Sequence, residues 1–574
     1  MKKFITLLGA VILGAVANAT TYSGTLPVLF INTDGGVSIT SKENYVNARY
    51  YLDPMGSENV QAIGSAQAPL DMQIRGRGNY TWVGFDKKPY RIKLADKQPL
   101  AGLNKSKHFA LLAHADDNYG FMRNIVGFQL SRMIGMPWTP ADTPVEVVLN
   151  GDYIGLYFLT ETIRVDKDRV NIVEQPDNIT NPEEITGGWL LEIDNYDSDP
   201  HVTVYEKDRD KSKIIFTYKT PEVLSQAQET YLTDNLNRLN DAIYNPDLND
   251  NSWEDMVDTD ILARYYIVQE IVDDYESFHG SCYLYKNIGN TKWCFGPVWD
   301  FGNAFTYDKT QYIYEGRQWH QTWIPQMCAH PHFMETVHSV WTEFENNTFD
   351  AIYSYVDDYA ARIAAAARCD AERWPSYGNA DVMQKADFVK QRLQGARRWL
   401  NAQWKGKKTY NVGFVENNTT DPWTNLHTYI WYVQGNDVVV VTDKWPGSPM
   451  TYMPATGHYE YSFKSMELPE NTQIIFNNGH SGDGNQTADL KFVNNGFYNR
   501  DGYIQLGVND ITAGSGTVVK SGKGFIAVIS ATTGSVTVTD ITGASRIYPV
   551  EPGENRIDIL PGFYIVGKQK VIVR

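Results

Sequence analysis

The sequence is short of positive charge. Lysine and arginine number 51 against 68 aspartate and glutamate, a formal net charge of −17 over 574 residues. A nucleic-acid backbone needs a basic stripe, so no nucleic-acid partner is expected. An anionic membrane surface is disfavoured on the same ground. Beyond the N-terminus no segment reaches eighteen consecutive apolar residues, so no transmembrane segment is expected. Glycine (45) and proline (25) are near average, which excludes collagenous or long disordered stretches. Cysteine is limited to Cys282, Cys294, Cys328 and Cys369. Cys282 and Cys294 flank a hairpin turn and either pair across it or remain buried thiols. No internal repeat is visible. What the chain has in excess is aromatic residues: 13%, with 36 Tyr and 15 Trp. Aromatics at this level fit sugar-stacking surfaces, many strands or a large core.

Length predicts three or four domains at roughly 100–200 residues each. Residues 1–19 read as a secretory signal peptide: Met1-Lys2-Lys3, an apolar run over Phe4–Val16, then Ala17-Asn18-Ala19 as a small-x-small cleavage pattern. No cysteine follows that run, so a lipid anchor is not expected, and the mature protein reads as secreted or held at the cell surface. Residues 20–405 mix strands and helices. Strand-like runs are Val28–Asn32, Met72–Arg75, Tyr90–Leu94 and Phe109–Ala113, and Asn150-Gly151-Asp152 joins Val145–Leu149 to Tyr153–Leu159 as a hairpin. Helical stripes follow at Phe121–Ile134, Gln226–Ile243, Ile261–Asp273, Phe349–Ala367 and Val389–Trp404. A β-rich lobe ahead of a helical lobe predicts a ligand site between them. After Trp404 the helices stop. Residues 406–499 read as a small β-sandwich and 500–574 as a further all-β segment.

Three stretches of the first region carry chemistry. Ile74-Arg75-Gly76-Arg77-Gly78-Asn79 places two glycines at a strand-to-loop transition, either a tight turn or a backbone nest for phosphate. In Tyr90-Arg91-Ile92-Lys93-Leu94, period-two alternation puts Arg91 and Lys93 on one strand face, suited to a polyphosphate or simply to solvent. A helix then ends in Gln269-Glu270-Ile271-Val272-Asp273-Asp274-Tyr275-Glu276, and a hairpin leads to Trp299-Asp300. Such a hairpin brings Asp300 close to Glu276, and two carboxylates suit Mg²⁺ or Mn²⁺ arriving with nucleotide phosphates. Several carboxylates at a helix C-terminus oppose its dipole and call for a reason.

In this order, with Leu111–Asn124, Glu146–Glu161 and Val170–Asp194 between them, these segments resemble the spore coat protein H (CotH) kinase family over about 370 residues. The resemblance implies an α+β, atypical protein-kinase-like two-lobed domain, followed here by all-β sandwich modules. It implies ATP-dependent phosphorylation of Ser or Thr in an acceptor protein, with Mg²⁺ or Mn²⁺. Asp300 matches the metal-binding aspartate of the family's Trp-Asp-x-Asp motif. Glu276 stands where the family usually has its catalytic-loop aspartate. Ser281 stands where it often has an asparagine that serves as a second metal ligand, and Gly302 replaces the second aspartate of the motif. Gly76, Gly78 and Lys93 are expected at the nucleotide, with Arg91 beside Lys93 and Glu161 as ion-pair partner of that lysine. The departures at Glu276, Ser281 and Gly302 leave a second reading: a non-catalytic surface scaffold with a degenerate kinase-like domain.

In the sandwich, His427, Tyr429 and Trp431 alternate onto one strand face. Trp445-Pro446-Gly447, Phe476-Asn477-Asn478-Gly479 and Gly484-Asn485-Gln486 follow. Aromatic rings stack on the apolar faces of pyranoses while amides bond the hydroxyls, although Tyr429 and Trp431 would serve equally as core. These segments resemble the starch-binding modules of carbohydrate-binding family twenty-six, which implies α-glucan binding through Tyr429, Trp431 and Trp445, with His427 and Gln486 as polar contacts. The tail, from Gly534–Gly543 to Leu560–Gly567, resembles the C-terminal sorting domains of Bacteroidetes secreted proteins. His320, Cys328, His330 and His332 fit no zinc spacing and read as structural.

Overall fold

The computed structural model describes residues 21–207, 212–315, 322–377, 379–405, 408–434, 437–454, 457–465, 468–482, 484–504, 517–530, 533–540, 544–566 and 569–573. The expected signal peptide, His320 and the turn at Thr512–Gly516 lie outside these residues. The chain divides into two compact units, Met1–Lys405 and Gly406–Arg574.

The first unit is α+β and opens with a closed seven-stranded barrel. Its strands are β1 (Val28–Thr33), β2 (Val46–Asp53), β3 (Leu70–Gly76), β4 (Tyr90–Gln98), β5 (Ser106–Leu112), β6 (Asp142–Leu149) and β7 (Asp152–Glu161), in the order β1-β2-β3-β4-β5-β7-β6. Alternation explains the barrel wall: Ala48, Tyr50 and Leu52 of β2, Met72 and Ile74 of β3, and Tyr90, Ile92 and Leu94 of β4 share one interior core. The β6–β7 hairpin turns at Asn150 (φ 52°) and Gly151 (φ 82°), the pair of positive angles that a tight hairpin turn demands. Closure comes from parallel pairing of β1 with β6.

A second sheet holds β8 (Trp189–Asp194), β9 (His201–Tyr205), β10 (Lys213–Thr220), β11 (Cys282–Lys286) and β12 (Cys294–Phe295), ordered β12-β11-β8-β10-β9. The helices are α1 (Tyr80–Gly84), α2 (Arg123–Met133), α3 (Gln226–Ile243), α4 (Thr259–Val272), α5 (Ile324–Ala329), α6 (Pro331–Asn347), α7 (Ala351–Arg373) and α8 (Val382–Leu400). Helix α3 starts on a capping box between Ser225 and Gln228. Helix α4 is buried nearly all round. Tyr285 stands opposite Cys294, so Cys282 and Cys294 are not cross-strand neighbours, and all four cysteines are free thiols.

The second unit is all β. Strands β13 (Lys408–Phe414), β14 (His427–Gln434), β15 (Asp437–Val440), β16 (Ser448–Pro449), β17 (Thr451–Met453), β18 (His458–Ser465), β19 (Gln473–Asn477), β20 (Leu490–Lys491), β21 (Gly496–Asn499) and β22 (Gly502–Ile504) form two sheets. These enclose Phe414, Trp423, Ile430, Ile474, Phe476 and Tyr498. Strands β23 (Thr517–Gly522), β24 (Phe525–Ser530), β25 (Gly534–Asp540), β26 (Ser545–Val550), β27 (Gly553–Asp558), β28 (Gly562–Val566) and β29 (Gln569–Val573) form two smaller sheets with their own core. No helix among the described residues is long and apolar enough to cross a membrane.

Candidate functional site

Helix α4 begins at Asp258, whose side chain accepts from Ile261 N at 3.1 Å. It ends at Asp273, which takes the left-handed conformation (φ 54°) and turns the chain out of the helix. The acidic run at this end divides into two pairs. Lys309, buried, bonds Glu270 and also Asp273 at 2.9 Å, so these two carboxylates belong to an internal ion cluster that neutralises the helix end. Asp274 and Glu276 are left for the site. Glu276 accepts from Asn195 Nδ2 at 3.0 Å and, on its other oxygen, from Asn303 Nδ2. Tyr275 in turn donates its hydroxyl to Asn303 Oδ1 at 2.9 Å.

Asp300 follows the β11–β12 hairpin with φ 60°. Its segment is pinned by the start of α2. Phe301 N donates to Asn124 Oδ1 at 3.0 Å, and the Arg123 guanidinium bonds Gly302 O and, at 3.2 Å, Thr306 Oγ1. Asp117 holds that arginine's backbone, accepting Arg123 N at 3.0 Å. Asp300 is open to solvent yet crowded by protein, as on the floor of a cleft, and burial raises its carboxyl against the pull of Arg77. Asp274 is raised well above the carboxylate range by burial and then by Glu276 and Asp300. Glu276 is raised by burial and by Asp300. Asp116, between β5 and α2, is pushed up to about 6 by burial and by Asp117, with Asp300 adding to it. Asp274, Glu276 and Asp116 each feel the charge of Asp300, which adds to burial in disfavouring their ionisation. No three Asp, Glu, His or Cys groups among the described residues stand close enough to cage a metal by themselves.

The cation beside Asp300 is Arg77. Arg77 lies over the Trp299 ring, 5.6 Å from its centroid, and its charge acts on Asp300. Arg91, half-buried on β4, is lowered by burial and by Arg75 and Arg164, and its Nε is buried with no hydrogen bond among the described residues. His108 is held down to about 4 by burial and by Arg164, Arg91, Lys93 and Arg169. A cavity of about 260 Å³ is lined by Trp138, Arg169, Asn171, Tyr285, Phe295 and Pro297 among others. Its walls are mainly apolar and aromatic, with an arginine and an amide at the rim.

Several expected site residues sit differently. Lys93 shares a face with Arg91 but is exposed, opposite His108 in the β4–β5 register. Glu161 is not its partner: Glu161 pairs with Phe109 on the barrel's inner face, whereas Lys93 alternates outward, and the arginine 4.0 Å from Glu161 is Arg169. Two amides of the glycine loop are already engaged. Gly76 N bonds Ser41 O and Arg77 N bonds Pro89 O. A Cβ at Gly76 would stand 2.4 Å from the Trp82 ring, and Gly78 takes φ 80° over Thr81, so the glycines seat α1 against the barrel. Ser281 takes φ 51° ahead of β11, and the amides on Glu276 come from Asn195 and Asn303 instead. His330 is buried on the carbonyls of Leu248 and Ile243, and His332 pairs with Glu254. The residues that sequence reasoning missed are Arg77, Asp116, Asn195 and Asn303. Arg77 lies inside the glycine-rich segment and Asp116 inside Leu111–Asn124, Asn303 follows Asp300 by three residues, and Asn195 carries no local signal.

In the second unit β14 turns Thr428, Ile430 and Tyr432 into the core and His427, Tyr429 and Trp431 outward, half-buried. The Tyr429 and Trp431 rings are 5.4 Å apart and tilted by 35°. Trp445 meets Tyr429 edge-on at 5.5 Å and is 40% exposed. Gly447 makes this possible: at φ 96°, a Cβ there would stand 2.1 Å from Thr428 O, so only glycine lets the Trp445 loop lie on β14. Asn477, fully buried, donates to Pro446 O at 2.9 Å and locks the loop. Gln486 bridges to Asn477 and accepts Gly482 N at 3.2 Å. The result is an open aromatic corner of three rings, with His427 and Gln486 on the flanking segments.

Two family models match the chain. The starch-binding module 26 model covers residues 412–492, the sandwich that carries the aromatic corner. The CotH kinase protein model covers residues 74–400, from the glycine loop through the carboxylate cleft to α8. With more than half of its length in that match, the chain belongs to the CotH kinase protein family and carries a starch-binding module behind the family domain.

Proposed function

We propose that the first unit is a metal-dependent protein kinase that moves the terminal phosphoryl group of ATP to a Ser or Thr hydroxyl of an acceptor protein. We further propose that the protein is exported and that its second unit holds it on starch or a related α-glucan. The observation that carries the kinase reading is the meeting at Asp300 of a second carboxylate, Glu276, and the guanidinium of Arg77, which lies over Trp299. The 260 Å³ cavity lined in part by Arg169, Trp138 and Tyr285 suits a nucleobase, and the guanidinium of Arg77 at Asp300 suits the phosphates. A divalent cation bound at Asp300 supplies neutralisation of charge on the phosphates. Arg77 and Arg91 orient the phosphate chain. Glu276 accepts the proton of the attacking hydroxyl as its oxygen bonds phosphorus and the bond to ADP breaks. Lys93, exposed beside Arg91, adds long-range attraction for the anion.

The scaffold reading draws on one observation: Gly302 stands where the resemblance places the second aspartate of the family motif. Incubation with labelled ATP and Mn²⁺ or Mg²⁺ separates the two. A kinase labels itself or casein and shows a nucleotide-dependent rise in melting temperature. No label and no shift overturn the kinase reading.

A further inference from the structure

Glu276 is one bond longer than the aspartate that the family resemblance places at its position, and its surroundings are built to that length. Its two oxygens accept from amides on separate elements, Asn195 just beyond β8 at 3.0 Å and Asn303 after Asp300. Each amide is itself placed. Tyr275 bonds Asn303 Oδ1 at 2.9 Å, which orients the Nδ2 toward Glu276. A Cβ at Gly280 would stand 2.3 Å from Asn195 Nδ2, so that glycine leaves the room the amide fills. Among the described residues Asn195 Oδ1 is buried without a hydrogen-bond partner, so within them the amide is held by its bond to Glu276 and not by a wider network. Drawing the carboxylate back by one carbon–carbon bond, about 1.5 Å, would open both contacts past hydrogen-bond length.

We propose that Asn195 and Asn303 form a two-amide clamp that positions Glu276, so that the site is built around a glutamate and does not hold a drifted aspartate. The chemistry assigned to Glu276, including its share in holding the metal, rests on the kinase reading; the two hydrogen bonds to it do not. Asn195 and Asn303 are positioning residues, acting on the acceptor hydroxyl through the carboxylate they hold.

The test uses the full chain as wild type, Asn195→Ala, Asn303→Ala, Glu276→Asp and the double variant Asn195→Ala with Glu276→Asp. Casein labelling gives kcat and KM for ATP separately. Each single change should lower kcat about tenfold or more, since a misplacement of about 1 Å has that effect, while KM for ATP stays within about twofold. The double variant should be no slower than Glu276→Asp alone, because both changes act through one carboxylate. A Glu276→Asp enzyme as fast as wild type or faster overturns the clamp. Mn²⁺ affinity, read by electron paramagnetic resonance without nucleotide, gives an answer independent of turnover. Each single variant should bind Mn²⁺ about fivefold more weakly than wild type. If wild type labels nothing, the kinase reading falls and this readout decides alone. Equal affinity in all proteins, or no Mn²⁺ binding by wild type, then overturns the clamp. Should Asn195→Ala fail to fold, Asn303→Ala tests the same carboxylate from the other side.

Discussion

The backbone N–H of Phe301 donates to Asn124 Oδ1 at 3.0 Å, so the first turn of α2 fixes the segment that carries Asp300. Asp300 has φ 60°, a conformation that a non-glycine residue keeps only when its surroundings hold it. Replacing Asn124 by Ala leaves the Phe301 N–H unpaired. We expect a loss of about 1–2 kcal/mol in stability and a loss of metal-dependent nucleotide binding of about tenfold or more. Urea melts and calorimetric nucleotide titration check the two effects. A variant with unchanged nucleotide affinity would separate Asn124 from the site.

Asp116 supplies a pH signature. Its carboxyl is raised from 3.8 to about 6, chiefly by burial, so the folded protein keeps a proton that the unfolded chain releases. The stability this group contributes is present below about pH 4 and is lost as pH rises through about 6. The difference in stability between wild type and Asp116→Asn should therefore fall across that window in metal-free melts. A flat difference removes the assignment.

Lys309 is expected to be structural. Its ammonium is buried between Glu270 and Asp273, and Lys309→Met would leave two buried carboxylates without a counter-charge. Loss of one partner of a buried ion cluster costs about 3–5 kcal/mol. A thermal melt of the variant should show it, and a melting point equal to wild type would contradict the clustering.

For the sugar corner, Trp431→Ala and Trp445→Ala should each weaken maltooligosaccharide binding by about tenfold. Trp445 is 40% exposed and Trp431 half-buried on the outer face of β14, so both variants should fold. Retardation in amylopectin gels is the readout. Unchanged retardation in both would place starch elsewhere or nowhere.

Export predicts a mature N-terminus at Thr20. Mass spectrometry of the naturally produced protein should find it, and an intact form beginning at Met1 as the main species would overturn export.

Local pattern went far in this chain. The stripe over Gln226–Ile243 coincides with α3, the Asn150-Gly151 turn joins β6 to β7, and the alternation of His427, Tyr429 and Trp431 is the outward face of β14. These depend on periods of 3.6 and 2 and on turn chemistry, which neighbouring residues carry among themselves. Motif order gave the CotH family and the starch-binding module for the same reason: each motif is a short segment. Helix α6 (Pro331–Asn347) and strand β2 (Val46–Asp53), by contrast, went unread among polar and mixed residues.

Tertiary structure decided what the residues do. Closure of the barrel needs β1 beside β6, more than a hundred residues apart in sequence. Lys309 claims Glu270 and Asp273 from outside the helix they end, which leaves Asp274 and Glu276 for the cleft. Arg77, read as part of a glycine loop, is the cation that acts on Asp300, while Lys93 on the expected strand points outward. Asn195 reaches Glu276 across 81 positions. Sequence specifies which side chains share a face of their own element, because that follows from local backbone geometry. Which charges meet across a cleft depends on how separate elements pack, and only the folded chain brings them within reach of one another.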